Sequence, residues 1–195
     1  MRDRLVRLVG ETADVLGAMA EGLDTEDGLK HSEGWHRAAG NLTVSLQHVS
    51  EARRWAMEGS RWNPGGRLRR TGPRPPAFAE DARWGRVCTR VLDLTRTLKG
   101  LSDDSELVPP SPDFLRLLCE VLEKAGHICA VESELLSGPG TDELRESRDA
   151  AFREAWSAIG SLTDAFHRQA PSTSAVGGEL LLEARQLMTE LAPST

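Results

Sequence analysis

Apolar residues recur along this chain at the three- and four-residue spacing of α-helices, and no segment alternates as a half-buried strand does. Leu5, Leu8 or Val9, Thr12, Leu16, Met19 and Leu23 predict a first helix over about residues 2–23. Gly10 and Gly17 lower its stability in isolation, so it needs packing partners. Residues 24–34 are polar, hold two Gly and read as a loop. A second helix over about 35–61 carries a narrow stripe of Leu42, Leu46, Val49, Arg53 and Ala56, of the kind that packs in a bundle. It stops at Asn63-Pro64, because proline disfavours helix at the residue before it. Residues 64–77 hold four Pro and three Gly and predict no regular element.

A third helix covers about 78–101, with Trp84, Val87, Val91, Leu94, Leu98 and Leu101 on one face. After a connector at 102–110, Ser111-Pro112-Asp113 supplies an N-cap hydroxyl, proline at the first helical position and an acid at the positive helix end. The fourth helix runs to Leu136. Thr141 caps a fifth that reaches about Gln169, residues 171–178 form a break, and a short last helix covers 179–191. The expectation is an all-α fold: an antiparallel bundle of about six helices, one of them long and ending at Asn63-Pro64. It forms a single domain over 1–195, with any subdivision near 102–110.

Composition agrees. Hydrophobic residues make up 39% and charged residues 28%, enough for a packed core. Tyr is absent, so Leu, Val and Ala must fill it. No stretch approaches the ~20 apolar residues of a membrane span, and the start of the chain lacks the apolar region of a secretory signal. Cys88, Cys119 and Cys129 form an odd set without paired spacing and read as buried thiols in a reducing compartment. These features together predict a cytoplasmic chain, and a net charge of −6 argues against nucleic acid as a partner.

Chemistry is hard to find. Gly65-Gly66 and Gly177-Gly178 lack the spacing of phosphate loops. Glu33-x-x-His36 matches a di-iron pair but stands alone, at a loop–helix boundary. His127-x-Cys129, with Cys119 upstream, is a fragment of a metal site; two packed thiols and a surface histidine explain the same residues. Glu132 and Glu134 read as solvated helix surface, and the five Trp as core or interface packing. The expectation is no enzyme, no cofactor and no metal.

One segment departs from the rest. Arg61, Arg67, Arg69, Arg70 and Arg74 fall in 61–74 with no acid among them, in an otherwise acidic chain, and Trp62 lies within the run. A solvated loop beside a helix C-terminus is one account. A patch facing anionic lipid headgroups or the ends of membrane helices is the other.

The run from Glu51 through Arg61-Trp62-Asn63-Pro64 to Arg70 resembles part of the cytoplasmic region of the fusaric acid resistance (FUSC), or aromatic acid exporter-like, membrane protein family. There a long helix leads into Arg-x-Asn-Pro and a basic tail. The helix layout over roughly 1–135 is similar too. The resemblance implies a non-enzymatic cytoplasmic domain of an efflux protein for small organic or aromatic acids, with a role in assembly or regulation. It sits at the inner face of the cell membrane, either excised from a larger protein or as a stand-alone relative. Arg61, Asn63 and Pro64 map onto the motif, in a structural and membrane-proximal role. Implied partners are membrane helices of the same or another transport protein, anionic lipid headgroups, and further copies in a homo-oligomer. The rival readings are a free helical adaptor binding a partner helix and a small-molecule- or metal-binding bundle.

Overall fold

The computed structural model of the chain describes residues 2–25, 27–62, 78–103, 106–169 and 174–192. Six α-helices account for nearly all of them: α1 (Arg2–Leu23), α2 (Ser32–Trp62), α3 (Phe78–Asp103), α4 (Pro112–Ser137), α5 (Asp142–His167) and α6 (Ser174–Glu190). No strand occurs among the described residues. Neighbouring helices run antiparallel. Arg2 at the start of α1 donates to the carbonyls of Leu136 and Gly138 at the end of α4. Along the α3–α6 pair, Arg86 meets Glu190 and Thr97 meets Glu179. The fold class expected from the periodicity is the one found.

Burial exposes an organisation that the helix pattern alone conceals. The buried positions of α1 return in α4: Leu5, Leu8, Val9, Leu16, Met19 and Ala20 fall on Phe114, Leu117, Leu118, Ala125, Ile128 and Cys129 in one constant register. The same register carries Leu42, Leu46 and Val49 of α2 onto Ala151, Ala155 and Ala158 of α5. In α3 and α6 a second register matches Val87, Val91, Leu94 and Leu98 with Leu180, Ala184, Leu187 and Leu191. The chain is therefore two three-helix units in tandem, α1–α3 and α4–α6. Within each unit the first helix packs on the second and third, and the units join through α1 against α4 and α3 against α6.

The two units are related by a pseudo-two-fold axis. Arg86–Glu190 and Thr97–Glu179 are symmetry-equivalent contacts. Arg90 and Glu183 occupy equivalent positions and pair with each other at 3.1 Å, so they straddle the axis. Gly17 and Gly126 do the same between α1 and α4. A Cβ placed on Gly126 would lie 3.4 Å from the Ala13 carbonyl oxygen and 3.5 Å from the Gly17 nitrogen. Gly126 of α4 thus lets the α1 backbone come into direct contact.

Several boundaries differ from the sequence reading. Within 24–34, a 3₁₀ turn (Gly28–His31) precedes α2, which starts at Ser32, earlier than expected. There the Trp35 indole lies on Gly22, where a Cβ would come within 2.2 Å of the ring. α6 begins at Ser174, so Gly177-Gly178 is helical, because Phe166 and Gln169 of α5 pack against its bare backbone. α5 ends at His167, two residues short of its expected end. Ala56, placed on the inner stripe of α2, is exposed. Arg53 beside it turns to Asp81, whereas its counterpart Leu162 packs in the core.

The two axial glycines should answer substitution differently. Nothing lies within 4 Å of a Cβ on Gly17, so Gly17→Ala should stabilise the fold by up to about 1 kcal/mol. Gly126→Leu must push the α1 backbone away and should cost about 1–3 kcal/mol or more. Thermal unfolding of the two variants checks this, and equal shifts would contradict the axial packing.

Candidate functional site

The starts of α1, α3 and α5 and the ends of α2, α4 and α6 meet at one end of the bundle. The polar chemistry of the fold gathers there. Arg83 of α3 is buried, with 9% of its surface exposed, and so is Glu132 of α4 at 8%. Arg148 of α5 lies 3.3 Å from the same Glu132 oxygen that Arg83 approaches at 3.6 Å. Arg83 also donates to the last carbonyls of α6, at 2.8 Å to Glu190 and 2.9 Å to Leu191, and stacks over Trp84. Arg53 of α2 pairs with Asp81 of α3. One cage of charges thus ties α2 to α6 together.

Glu132 corrects the sequence reading, which left it on the solvated surface. It is the buried hub between two arginines. The other unit shows that this hub is not a requirement of the architecture: at the positions equivalent to Glu132, Arg148 and Arg83 stand Leu23, Ala39 and Val176, all apolar. Glu80 stands beside the cage with one carboxylate oxygen buried and unpartnered. Burial, then repulsion from Glu132, raises its pKa above the ordinary carboxylate value.

The candidate segment leaves from and returns to this same end. Arg61 and Trp62 lie in the last turn of α2, and nothing is described of their side chains. Asn63, Pro64, Arg67, Arg69, Arg70 and Arg74 lie outside the described residues. The internal repeat gives the segment a measure. The second unit passes from α5 to α6 through residues 168–173, less than half the span of 63–77, which makes the equivalent passage in the first. The charges divide accordingly. Among the described residues the acid excess is larger at the opposite end, and the sequence of 63–77 adds four arginines and no acid.

The remaining candidates bring no reacting groups together. Cys88, Cys119 and Cys129 are buried and free. Burial pushes the Cys88 and Cys119 thiols up to about 11 and Cys129 higher still, so all three stay protonated and poorly nucleophilic. His127 is exposed and sits 3.2 Å from the Ser147 hydroxyl, at the edge of a shallow groove of about 440 Å³ between α1 and α4. Mid-helix N–H groups are spent on the helix itself and leave no oxyanion hole there. No group of three or more His, Cys, Asp or Glu among the described residues is placed to hold a metal. No described helix is long and apolar enough to cross a membrane. Of the tryptophans, Trp35 and Trp84 are buried, Trp156 is 36% exposed and Trp55 is 67% exposed. The chain matches no protein-family model, no curated protein and no solved structure.

Sequence reasoning missed the cage because a lone Glu on a helix carries no burial signal. The signal it overlooked is the repeat itself. Arg7-Leu8-x-x-Glu11 with Gly17 returns as Arg116-Leu117-x-x-Glu120 with Gly126. Both Arg–Glu pairs form on their helices.

The repeat predicts how the cage responds. Glu132→Leu strands the buried Arg83 and takes a partner from the partly buried Arg148, and should destabilise the fold by about 3–5 kcal/mol. The triple change Glu132→Leu, Arg148→Ala and Arg83→Val copies the other unit and should recover most of that loss in denaturant unfolding. A triple variant less stable than the single would refute the equivalence. Glu80 gives a pH signature. Its folded pKa is raised, so its ionisation in the folded state costs stability, and the cost grows as pH rises through that pKa. Glu80→Gln should therefore stabilise the protein at neutral pH and lose that advantage below the ordinary carboxylate pKa, as unfolding at the two pH values would show.

Proposed function

We propose that this chain is the non-catalytic helical domain of a membrane transport protein of the FUSC-like kind, held at the inner membrane face in an assembly or regulatory role. The observation that carries the membrane reading is the asymmetry of the repeat. The same helix-to-helix passage that the second unit makes in a short link takes a long, arginine-rich, acid-free segment in the first. Folding does not require that length, so the segment serves something outside the bundle. Arginines near an anionic bilayer contribute about 1 kcal/mol each. The acid excess at the far end is repelled by the same surface and orients the domain. The resemblance of Arg61-Trp62-Asn63-Pro64 and its basic tail supplies the transport half of the reading. Under it, the partners are membrane helices and anionic lipid, and the exported solutes are small organic acids.

Co-sedimentation with vesicles is the direct test. Wild-type protein should bind anionic vesicles and not neutral ones, with binding that fades as salt shortens the screening length. The variant with Arg67, Arg69 and Arg70 all changed to Ala should lose most of this binding at low salt. Equal sedimentation of the two proteins would assign the arginines to a solvated loop and leave the membrane reading without its main support.

A further inference from the structure

We infer that the seam between α3 and α6 is a charge-coded pairing surface. Its cations on the first unit and its carboxylates on the second make each unit fit only a unit of the other kind, so a second copy of this chain can dock on either face only through its opposite unit.

The pseudo-two-fold axis fixes what any other pairing would bring together. Arg90 and Glu183 hold the same position in the two units and meet at 3.1 Å. Arg86 of α3 holds the position of Glu179 in α6, and Thr97 that of Glu190. In the structure Arg86 therefore meets Glu190, at 2.7 Å, and the Thr97 hydroxyl lies 2.9 Å from Glu179. Two α4–α6 units joined about the same axis would set Glu183 against Glu183, and Glu179 against Glu190 on both sides. Three glutamates from each unit would face one another without a cation between them. The one arginine of α6, Arg185, is exposed and takes part in none of the described pairs across the seam. Two α1–α3 units would set Arg90 against Arg90 and lose every carboxylate that α6 supplies. Asp93, 3.7 Å from Arg90 on the same helix, would moderate that contact only in part, and its counterpart in α6 is the neutral Gln186.

The apolar contacts do not make this choice. Val87, Val91 and Leu98 of α3 stand where α6 has Leu180, Ala184 and Leu191, and α1 and α4 match in the same way. Stripes of one kind accept either partner, since apolar cores tolerate such exchanges. The choice falls to the charges, and they sit where water screens them only in part: the side chains of Glu183, Glu190 and Arg90 are 13%, 22% and 28% exposed. Like charges set opposite one another across an interface reject the wrong partner. A chain of two equivalent halves has a particular need of this. If like units paired, each chain would keep its other unit open to a further copy, and the assembly would not close. Opposite signs on α3 and α6 direct each unit to the other kind, which in this structure is the other half of the same chain.

The experiment lets the units choose. A protease site placed between the exposed Leu107 and Val108 allows the folded full chain to be cut into its two units, which are then unfolded and refolded together. Native mass spectrometry at low salt should find α1–α3 paired with α4–α6, and like pairs about tenfold rarer than random pairing gives. With Glu179, Glu183 and Glu190 all changed to Gln, pairs of two α4–α6 units should appear. Random proportions from the wild-type chain would refute the charge code, and so would a Gln variant that still pairs only with the other kind. The uncut chain supplies a second measurement that needs no refolding of cut units. Arg90→Glu should lower the thermal unfolding midpoint, and adding Glu183→Arg should recover most of the loss, with a recovery that shrinks as salt rises. A single variant as stable as wild type, or a double variant no better than the single, would show that the axial charges do not couple and would overturn the inference.

Discussion

The close crossing of α1 and α4 at Gly17 and Gly126 is the contact on which the rest of the bundle depends. It brings the two three-helix units together on their pseudo-two-fold axis, where a Cβ on Gly126 would already touch the α1 backbone. Once α1 and α4 are locked there, their apolar stripes face the same interior, and α3 and α6 close it with a second axial pair, Arg90 with Glu183. A Leu- and Ala-filled core tolerates many exchanges of similar volume. The Gly126 side of the crossing tolerates few, because bulk beyond a Cβ there meets the α1 backbone.

Two equivalent halves also separate what the fold needs from what it merely contains. Where the halves agree, as in the matched Leu, Val and Ala positions and the two Arg–Glu pairs of α1 and α4, packing accounts for the residues. Where they disagree, some other demand has acted. The disagreements concentrate at one end: Glu132, Arg148 and Arg83 against Leu23, Ala39 and Val176, Trp84 against Gly177, Trp55 against Asp164, and a long basic segment against a short link. Replacing apolar contacts by a buried ion cluster brings desolvation cost and little net stability, so stability is a poor reason for the cluster to exist.

Helix number, order and most boundaries were legible in the sequence because they follow from spacing and from Pro, Ser and Thr signals. Ser111 and Thr141 accept from the N–H three residues on, as their positions promised. What failed was anything set by contact between distant residues. Gly177-Gly178 reads as a break until Phe166 is known to lie against it. Ala56 continues a helical stripe whose partner surface, three helical turns on, is no longer there. Glu132 looks like any exposed acid, because nothing local announces Arg83 and Arg148. The basic run of 61–74 was visible from composition alone. That it exceeds what the turn needs became clear only when the second unit showed the same turn made short.

The cage and the segment share more than an end of the bundle. The segment follows the end of α2, about two and a half turns past Arg53, and precedes the start of α3, just before Glu80, Asp81 and Arg83. The α3 side is bound through Arg83 into contacts that reach α4, α5 and α6, and Arg53 ties α2 to α3 through Asp81. An apolar contact between two helix ends slides more readily than a paired, buried charge with defined geometry. The ions thus fix the geometry of five helices at this end, whereas Leu23, Ala39 and Val176 suffice at the other, where the equivalent passage is short.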